Sequence, residues 1–204
     1  MFECFGIPHK ITNVGLYSGT MQADLAAYSP ARTVPVAVTP DGHVLTDSLS
    51  IAETLVERHP RSGLLPDDPA ARALARNLIC EMHSGFSSLR NDCPMNLRTA
   101  WQGFKASELI KMDLARIETL WGSARRQFGT ETPWLFGDYS LADVFYAPVA
   151  ARIAGYGLPV GTEASRYVEA HMKHPAFLAW RAKALEENQA PEQYNLGLPT
   201  RPWP

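Results

Sequence analysis

Apolar residues alternate with small or polar ones at positions 34 to 38, which read Val-Pro-Val-Ala-Val. This period of two predicts an extended strand with one face buried. Positions 40 to 42, Pro-Asp-Gly, supply the residues of a tight turn, and positions 43 to 45, His-Val-Leu, resume the extended pattern. The segment from Thr33 to Leu45 therefore predicts a β-hairpin.

The period changes to that of a helix directly after the hairpin. Asp47 and Ser48 are residue types that favour a helix start, and Pro60 ends the run. The apolar positions on one side of this helix are Leu49, Ile51 or Ala52, and Leu55. The pattern therefore predicts an amphipathic helix that begins at Asp47-Ser48 and ends before Pro60.

The hairpin and the helix start together predict a ligand site. Pro35 cannot donate a backbone hydrogen bond, so the chain is expected to bend there and to leave the N–H and C=O of Val34 for an extended peptide. The first turn of a helix has unpaired N–H groups and the positive end of the helix dipole, which favour a carboxylate, and Ser48 adds a hydroxyl. A small anionic peptide would satisfy both features.

The remainder of the chain has mainly helical spacing. Residues 61–68 contain Gly and Pro and predict a linker, and long helices are predicted over residues 69–91 and 101–128. The buried positions expected in the first helix are Leu74, Leu78, Met82, Phe86 and Leu89. Those expected in the second helix are Leu109, Ile110, Met112, Ile117, Leu120 and Trp121.

Ser140 and Asp143 have the spacing of a capping box, in which each side chain pairs with the backbone N–H of the other residue. This pattern is structural, and we expect no catalytic role for Asp143. The helix that follows is apolar almost all round, which places it in the middle of a helical domain, and Pro148 is expected to kink it.

At the N-terminus, the residues before Gly6 resemble the last turn of a helix. Residues 9–16 then predict a short strand, and residues 20–28 a short helix.

These features resemble the glutathione transferase family. The matching residues are Val34-Pro35, Asp47-Ser48, Ser29-Pro30 and the segment Phe136–Asp143. The resemblance implies a thioredoxin-like α/β domain over residues 1–62, and an all-α helical bundle over residues 69–204. It also implies a cis bond before Pro35, with glutathione bound by Thr33, Val34, Pro35, Asp47 and Ser48.

The family has a strand and a loop before its first helix, and that loop carries a catalytic Ser, Tyr or Cys. Because this sequence starts near the end of that helix, the thioredoxin-like domain is expected to lack its first strand and the catalytic residue is unknown. Three arrangements are open: residues upstream of Met1 supply the strand, residues 9–16 pair with the Val36 strand, or another subunit fills the gap. We favour the first, because residues 1–5 have the apolar pattern of a helix interior with no cap before it.

The resemblance makes His83, Phe86 and Arg90 candidates for the wall of the second-substrate cleft. The alternative for these residues is ordinary packing of the His and a surface position for the Arg. Gly85 in mid-helix costs about 1 kcal/mol relative to Ala, which suggests a close approach of other atoms there.

Composition excludes several classes of function. The chain has 204 residues with 19 basic and 21 acidic side chains, so it carries no charge pattern for nucleic acid or an anionic membrane. Without a signal peptide or a spanning segment, a cytoplasmic protein is expected. Cys4, Cys80 and Cys93 fit free thiols, and His171 with His174 lacks a third ligand nearby, so we expect no metal.

Two functions remain open at this stage. The first is an enzyme that transfers the glutathione thiolate to a small apolar electrophile, or uses it in cis–trans isomerisation or reduction. The second is a binding protein of the same fold, for apolar ligands or a protein partner, without chemistry. In either case a two-fold homodimer is expected, as the family usually assembles that way.

Overall fold

A computed structural model describes residues 1–16, 19–186 and 192–204 of the chain. The chain divides into two compact units, Met1–Leu64 and Leu65–Pro204. The first unit combines short helices with a hairpin, and the second is built almost entirely from helices. This organisation agrees with the predicted fold class, an α/β unit followed by a helical unit, apart from one small sheet in the second unit.

The first unit begins with a 3-10 helix, Glu3–Phe5, which Gly6 ends in a left-handed conformation. Helix α1, Met21–Leu25, continues into a second 3-10 helix, Ala26–Tyr28. The hairpin consists of β1, Ala37–Val38, and β2, Val44–Leu45, and helix α2 is Ser48–Arg58.

The prediction of a strand over residues 9–16 is wrong. These residues form no strand, and all of them are exposed except the half-buried Val14. An extended segment of this kind needs a neighbouring strand to satisfy its backbone and a core to cover one face. The proposed pairing of residues 9–16 with the Val36 strand is therefore also wrong.

The hairpin and α2 are held together by polar contacts around the turn. The N–H of His43 donates to Thr39 Oγ1 over 3.0 Å, and Gly42 adopts the positive φ of 87° that the turn requires. Arg58, in the last turn of α2, donates to Asp41 Oδ1 over 2.6 Å. Through Asp41, the turn between the two strands also contacts the last turn of α2.

The described residues of the second unit form six α-helices, one 3-10 helix at Glu192–Tyr194 and one two-stranded sheet. The helices are α3 Pro69–Ser84, α4 Ser87–Asp92, α5 Glu108–Phe128, α6 Leu141–Tyr156, α7 Thr162–Lys173 and α8 Pro175–Glu186. Strand β3, Ala100–Trp101, pairs antiparallel with β4, Thr200–Arg201. Helix α6 is buried on nearly all sides and packs against α3, α7 and β3.

The long helix predicted over residues 69–91 is interrupted. Helix α3 ends at Ser84, Gly85 is extended, and Phe86 has a φ of 56° before α4 begins. A Cβ on Gly85 would lie 2.6 Å from the carbonyl oxygen of Glu81, so this position requires glycine. Of the predicted core positions, Leu78, Met82, Phe86 and Leu89 are buried, whereas Leu74 is half-buried.

The second long helix starts later than predicted. Ser107 caps α5 by accepting from the N–H of Ile110 over 3.3 Å, and residues 100–101 form β3 instead of helix. Ile110, Ile117, Leu120 and Trp121 are buried as expected, but Leu109 and Met112 are about two-thirds exposed, at 61% and 67%.

The capping box at the start of α6 is present. Asp143 is fully buried and its carboxylate accepts from Ser140 N over 2.9 Å, Leu135 N over 3.2 Å and the Tyr167 hydroxyl over 2.9 Å. Burial raises the pKa of Asp143 to about 6, although the hydrogen bonds oppose this shift. The carboxylate therefore joins α6, α7 and the preceding loop.

Within the described part of the chain, none of the helices has the length and apolar character needed to cross a membrane.

Candidate functional site

The open end of the hairpin brings the two predicted binding segments together. Ala37 pairs with Leu45 and Val38 with Val44 in an antiparallel register, so residues 34–35 and 47–48 lie beyond the paired strands at the same, open end of the hairpin. The Val34–Pro35 peptide bond is cis, as expected. Val34 is 39% exposed and forms no hydrogen bond with another residue that the structure describes. Its backbone can therefore pair with an extended ligand.

The start of α2 supplies charge and hydrogen bonds at the same end. Asp47 is the N-cap, and its Oδ1 accepts from the N–H of Leu49 over 2.8 Å and of Ser50 over 3.1 Å. The Asp47 side chain is exposed, so it can also attract an ammonium group, while the positive helix end and Ser48 favour a carboxylate. This combination complements a free α-amino-acid group, which carries an ammonium and a carboxylate on one carbon.

Ile51, Ala52 and Leu55 of α2 are buried and anchor this helix in the first unit. Together with Ile7, Leu25 and Leu64 they form the core of that unit. The predicted binding segments thus lie before β1 and at the start of the packed helix α2, and loops and element ends of this kind often carry ligand sites. Thr33, directly before Val34, is exposed.

The interruption between α3 and α4 gathers the three candidates for the second-substrate cleft. Arg90 is exposed, and its Nη1 donates to the carbonyl oxygens of His83 over 3.0 Å and Gly85 over 3.4 Å. Phe86 is only 6% exposed and lies 6.5 Å from the ring of Tyr146, so its side chain packs in the helical core. His83 is half-buried. A contact of His83, Phe86 or Arg90 with substrate remains a prediction.

The three cysteines differ in exposure. Cys80 is exposed, Cys4 is half-buried and Cys93 is fully buried. Burial raises the pKa of the Cys93 thiol to about 12, so Cys93 is a neutral thiol at physiological pH and a poor nucleophile. No cluster of three or more metal-ligating side chains occurs among residues 1–16, 19–186 and 192–204.

One residue that the sequence pattern did not single out is Arg152. It is the only charged residue of α6 after Asp143, and it is half-buried. The sequence signal for Arg152 is its charge within an otherwise apolar helical segment.

Comparisons with known proteins match both units. Residues 1–58 match the family model of the glutathione S-transferase N-terminal domain, and residues 82–183 match that of the glutathione S-transferase C-terminal domain. The chain is 30% identical to a maleylacetoacetate isomerase of Pseudomonas aeruginosa over 161 residues, which are 74% of this chain and 72% of the relative.

Solved structures show the same similarity. A glutathione transferase homologue from Burkholderia, crystallised with bound glutathione, is 26% identical with a TM-score of 0.64, over 91% of this chain and 88% of that one. A maleylacetoacetate isomerase from Anaeromyxobacter dehalogenans, with glutathione in its active site, is 28% identical with a TM-score of 0.62, over 93% and 89%. The chain described here belongs to the glutathione S-transferase family.

Proposed function

We propose that this protein binds glutathione at the open end of the hairpin and uses its thiol in chemistry on a small electrophile. The observation that carries the proposal is the register of the hairpin, whose open end is flanked by Val34–Pro35 on one side and Asp47–Ser48 on the other. The Val34 backbone would pair with the cysteinyl residue of glutathione. Asp47 would attract its γ-glutamyl ammonium group, and Ser48 with the start of α2 would hold the adjacent carboxylate.

Similarity to glutathione-bound structures supports the ligand. In the proposed reaction the thiol loses its proton and the thiolate attacks an electron-poor carbon, so that a C–S bond forms. A halide then leaves with its bonding electrons, or an activated double bond takes up a proton. The relatives named maleylacetoacetate isomerase favour a variant in which thiolate addition is reversed after bond rotation, so that glutathione is regenerated.

Ser48→Ala tests the site directly. The variant should weaken glutathione binding by about 1 to 3 kcal/mol, because a hydrogen bond to a charged carboxylate is lost. Ser50→Ala is a matched control, since Ser50 lies on the same helix and is exposed. Isothermal titration calorimetry gives both affinities, and circular dichroism checks the fold.

If Ser48→Ala binds glutathione as tightly as the wild type, the γ-glutamyl carboxylate does not bind at Ser48. Turnover of glutathione with 1-chloro-2,4-dinitrobenzene separates an enzyme from a binding protein. Glutathione binding with no turnover of this electrophile, and none of an activated cis-alkene, would favour the second function.

A further inference from the structure

A cavity of about 460 Å³ lies in the second unit, where the C-terminal segment of the chain returns to β3. Its walls come from two stretches of sequence. The first stretch contributes Asn96, Thr99 and Trp101, and the second contributes Glu192, Asn195 and Thr200. Pockets that hold small organic molecules have volumes of about 300 to 1,000 Å³, so the cavity is large enough for such a ligand.

The pairing of β3 with β4 decides which side chains face this cavity. Trp101 pairs with Thr200, and Ala100 pairs with Arg201. Cross-strand partners share one face of a sheet and successive residues alternate between faces, so Trp101 and Thr200 line the cavity while Arg201 lies on the opposite face. There Arg201 donates to the carbonyl oxygen of Ala154, near the end of α6. Its positive charge is therefore directed away from the cavity.

The charge of the lining disfavours an anionic ligand. Glu192 is the single charged side chain among the described residues that line the cavity. In the same part of the chain, no basic group lies within 4.0 Å of its carboxylate. A carboxylate or phosphate ligand would meet this negative charge with no lining cation to bind it. The ligand that fits is neutral or cationic.

Two asparagines supply hydrogen-bond donors. Asn96 Oδ1 accepts from the backbone N–H groups at positions 98 and 99 over 2.9 and 3.1 Å, and Asn195 Oδ1 accepts from that of Gly197 over 3.0 Å. The side-chain NH₂ groups of both asparagines have no acceptor among the described residues. An ammonium ion offers no acceptor to these groups, whereas a hydroxyl group accepts from an amide and can also donate to Glu192. The lining therefore favours a neutral molecule that carries several hydroxyl groups.

Trp101 and the two threonines complete the match. The hydroxyl groups of Thr99 and Thr200 form no hydrogen bond with a residue that the structure describes, so both are available to a ligand. Trp101 is only 4% exposed, and packing holds its ring in place. Sugar rings combine hydroxyl groups at their edge with an apolar face of C–H groups, which fits polar groups arranged around an aromatic ring.

We propose that this cavity is a binding site for a neutral polyol of the size of a monosaccharide. Glu192 accepts from one hydroxyl group of the ligand, Asn96 and Asn195 donate to others, and Trp101 covers its apolar face. The site is separate in sequence from the glutathione segments, and the proposal does not depend on glutathione binding.

The test titrates the full chain with D-glucose and with myo-inositol. The readout is the side-chain NH₂ signals of Asn96 and Asn195 and the indole N–H signal of Trp101 in ¹H–¹⁵N spectra. Choline chloride and sodium acetate, at the same concentrations, are the cationic and anionic comparisons. At least one of the two polyols should shift all three signals saturably, whereas choline and acetate should not.

Two variants remove single groups from the lining. Glu192→Gln replaces the carboxylate by a neutral amide of the same shape, and Thr200→Val removes a hydroxyl but keeps a β-branched strand residue. Polyol affinity should fall about fivefold or more in Glu192→Gln and about threefold or more in Thr200→Val, because each loses a hydrogen bond to the ligand. Glu131→Gln is the matched control, since Glu131 is exposed and does not line the cavity, and its affinity should be unchanged.

The proposal fails if neither polyol gives a saturable shift, or if choline or acetate binds in their place. It also fails if both lining variants bind the polyol as tightly as the wild type, or if Glu131→Gln loses as much affinity as they do. Melting temperatures show whether each variant is folded. If Thr200→Val is not, the exposed position of Glu192 makes Glu192→Gln the deciding variant.

Discussion

Acid should destabilise the helical unit through His171. This residue has 0% exposure, and neither ring nitrogen has a hydrogen-bond partner among the described residues. The rings of Tyr167, Trp134 and Tyr139 surround it at centroid distances of 4.6, 5.2 and 6.1 Å. An imidazolium there would have lost its hydration without a counter-ion, so burial lowers the pKa of His171 to about 3.

The sign and size of the effect follow from linkage. In the unfolded chain His171 has an ordinary pKa of 6.5 and binds a proton below it, whereas the folded state stays neutral down to about pH 3. The stability from neutral His171 is therefore complete above pH 6.5 and is lost as the pH falls toward 3. At pH 5 the loss is about 2 kcal/mol, because each pH unit below the unfolded pKa costs about 1.4 kcal/mol.

The variant His171→Phe isolates this contribution. Phenylalanine keeps the ring contacts and removes both unpartnered nitrogens, so it should be at least as stable as the wild type at pH 7. Asp143 changes stability in the opposite sense. Its pKa is raised to about 6 in the folded state, so the folded state binds a proton before the unfolded state does, and stability increases as the pH falls from about 6 to 3.8. Both proteins contain Asp143, so its contribution cancels in the comparison.

The assay is urea unfolding followed by circular dichroism at pH 7 and pH 5. The wild type should lose about 2 kcal/mol more unfolding free energy between these pH values than His171→Phe does. Equal losses in the two proteins would refute the reasoning, because they would mean that folded His171 takes up its proton as readily as unfolded His171.

Two further changes test the packing around the helices. Asp143→Ala should lower the free energy of unfolding at pH 7 by about 2 to 5 kcal/mol in urea titrations, because the buried N–H groups of Ser140 and Leu135 lose their acceptor. Tyr167→Phe removes only one of the hydrogen bonds to the Asp143 carboxylate and should lower the free energy of unfolding by about 1 kcal/mol. Equal losses in Asp143→Ala and Tyr167→Phe would contradict the account in which the carboxylate also binds the two N–H groups. Gly85→Ala should lower the melting temperature, because its Cβ would lie 2.6 Å from a backbone oxygen; an unchanged melting temperature would show that the α3–α4 junction relaxes freely.

Much of the first unit could be predicted from local sequence. Helix α2 has its cap, its apolar face and its terminating proline within one short segment, and the structure agrees except that Leu49 is only half-buried. The hairpin was equally local, because Pro-Asp-Gly fixes the turn. The binding segments Val34–Pro35 and Asp47–Ser48 flank these elements, so their proximity followed from the hairpin alone.

The errors occur where a distant partner or a single residue decides the structure. Residues 100–101 form a strand only because residues 200–201 return to pair with them, which no local pattern reveals. The interruption at Gly85–Phe86 was missed because the apolar stripe continues in phase through Phe86 to Leu89, both of which are buried. Residues 9–16 lie between a helix end and a predicted helix, which is the reason a strand is predicted there, but they form none.

The central claim is that glutathione binds at the open end of the hairpin, and amide NMR during a glutathione titration tests it most directly. We predict saturable shifts of the Val34, Ser48 and Leu49 amide signals, with smaller shifts for residues in the core of the helical unit. Saturable binding that leaves those three amides unchanged, or no binding at all, would contradict the account.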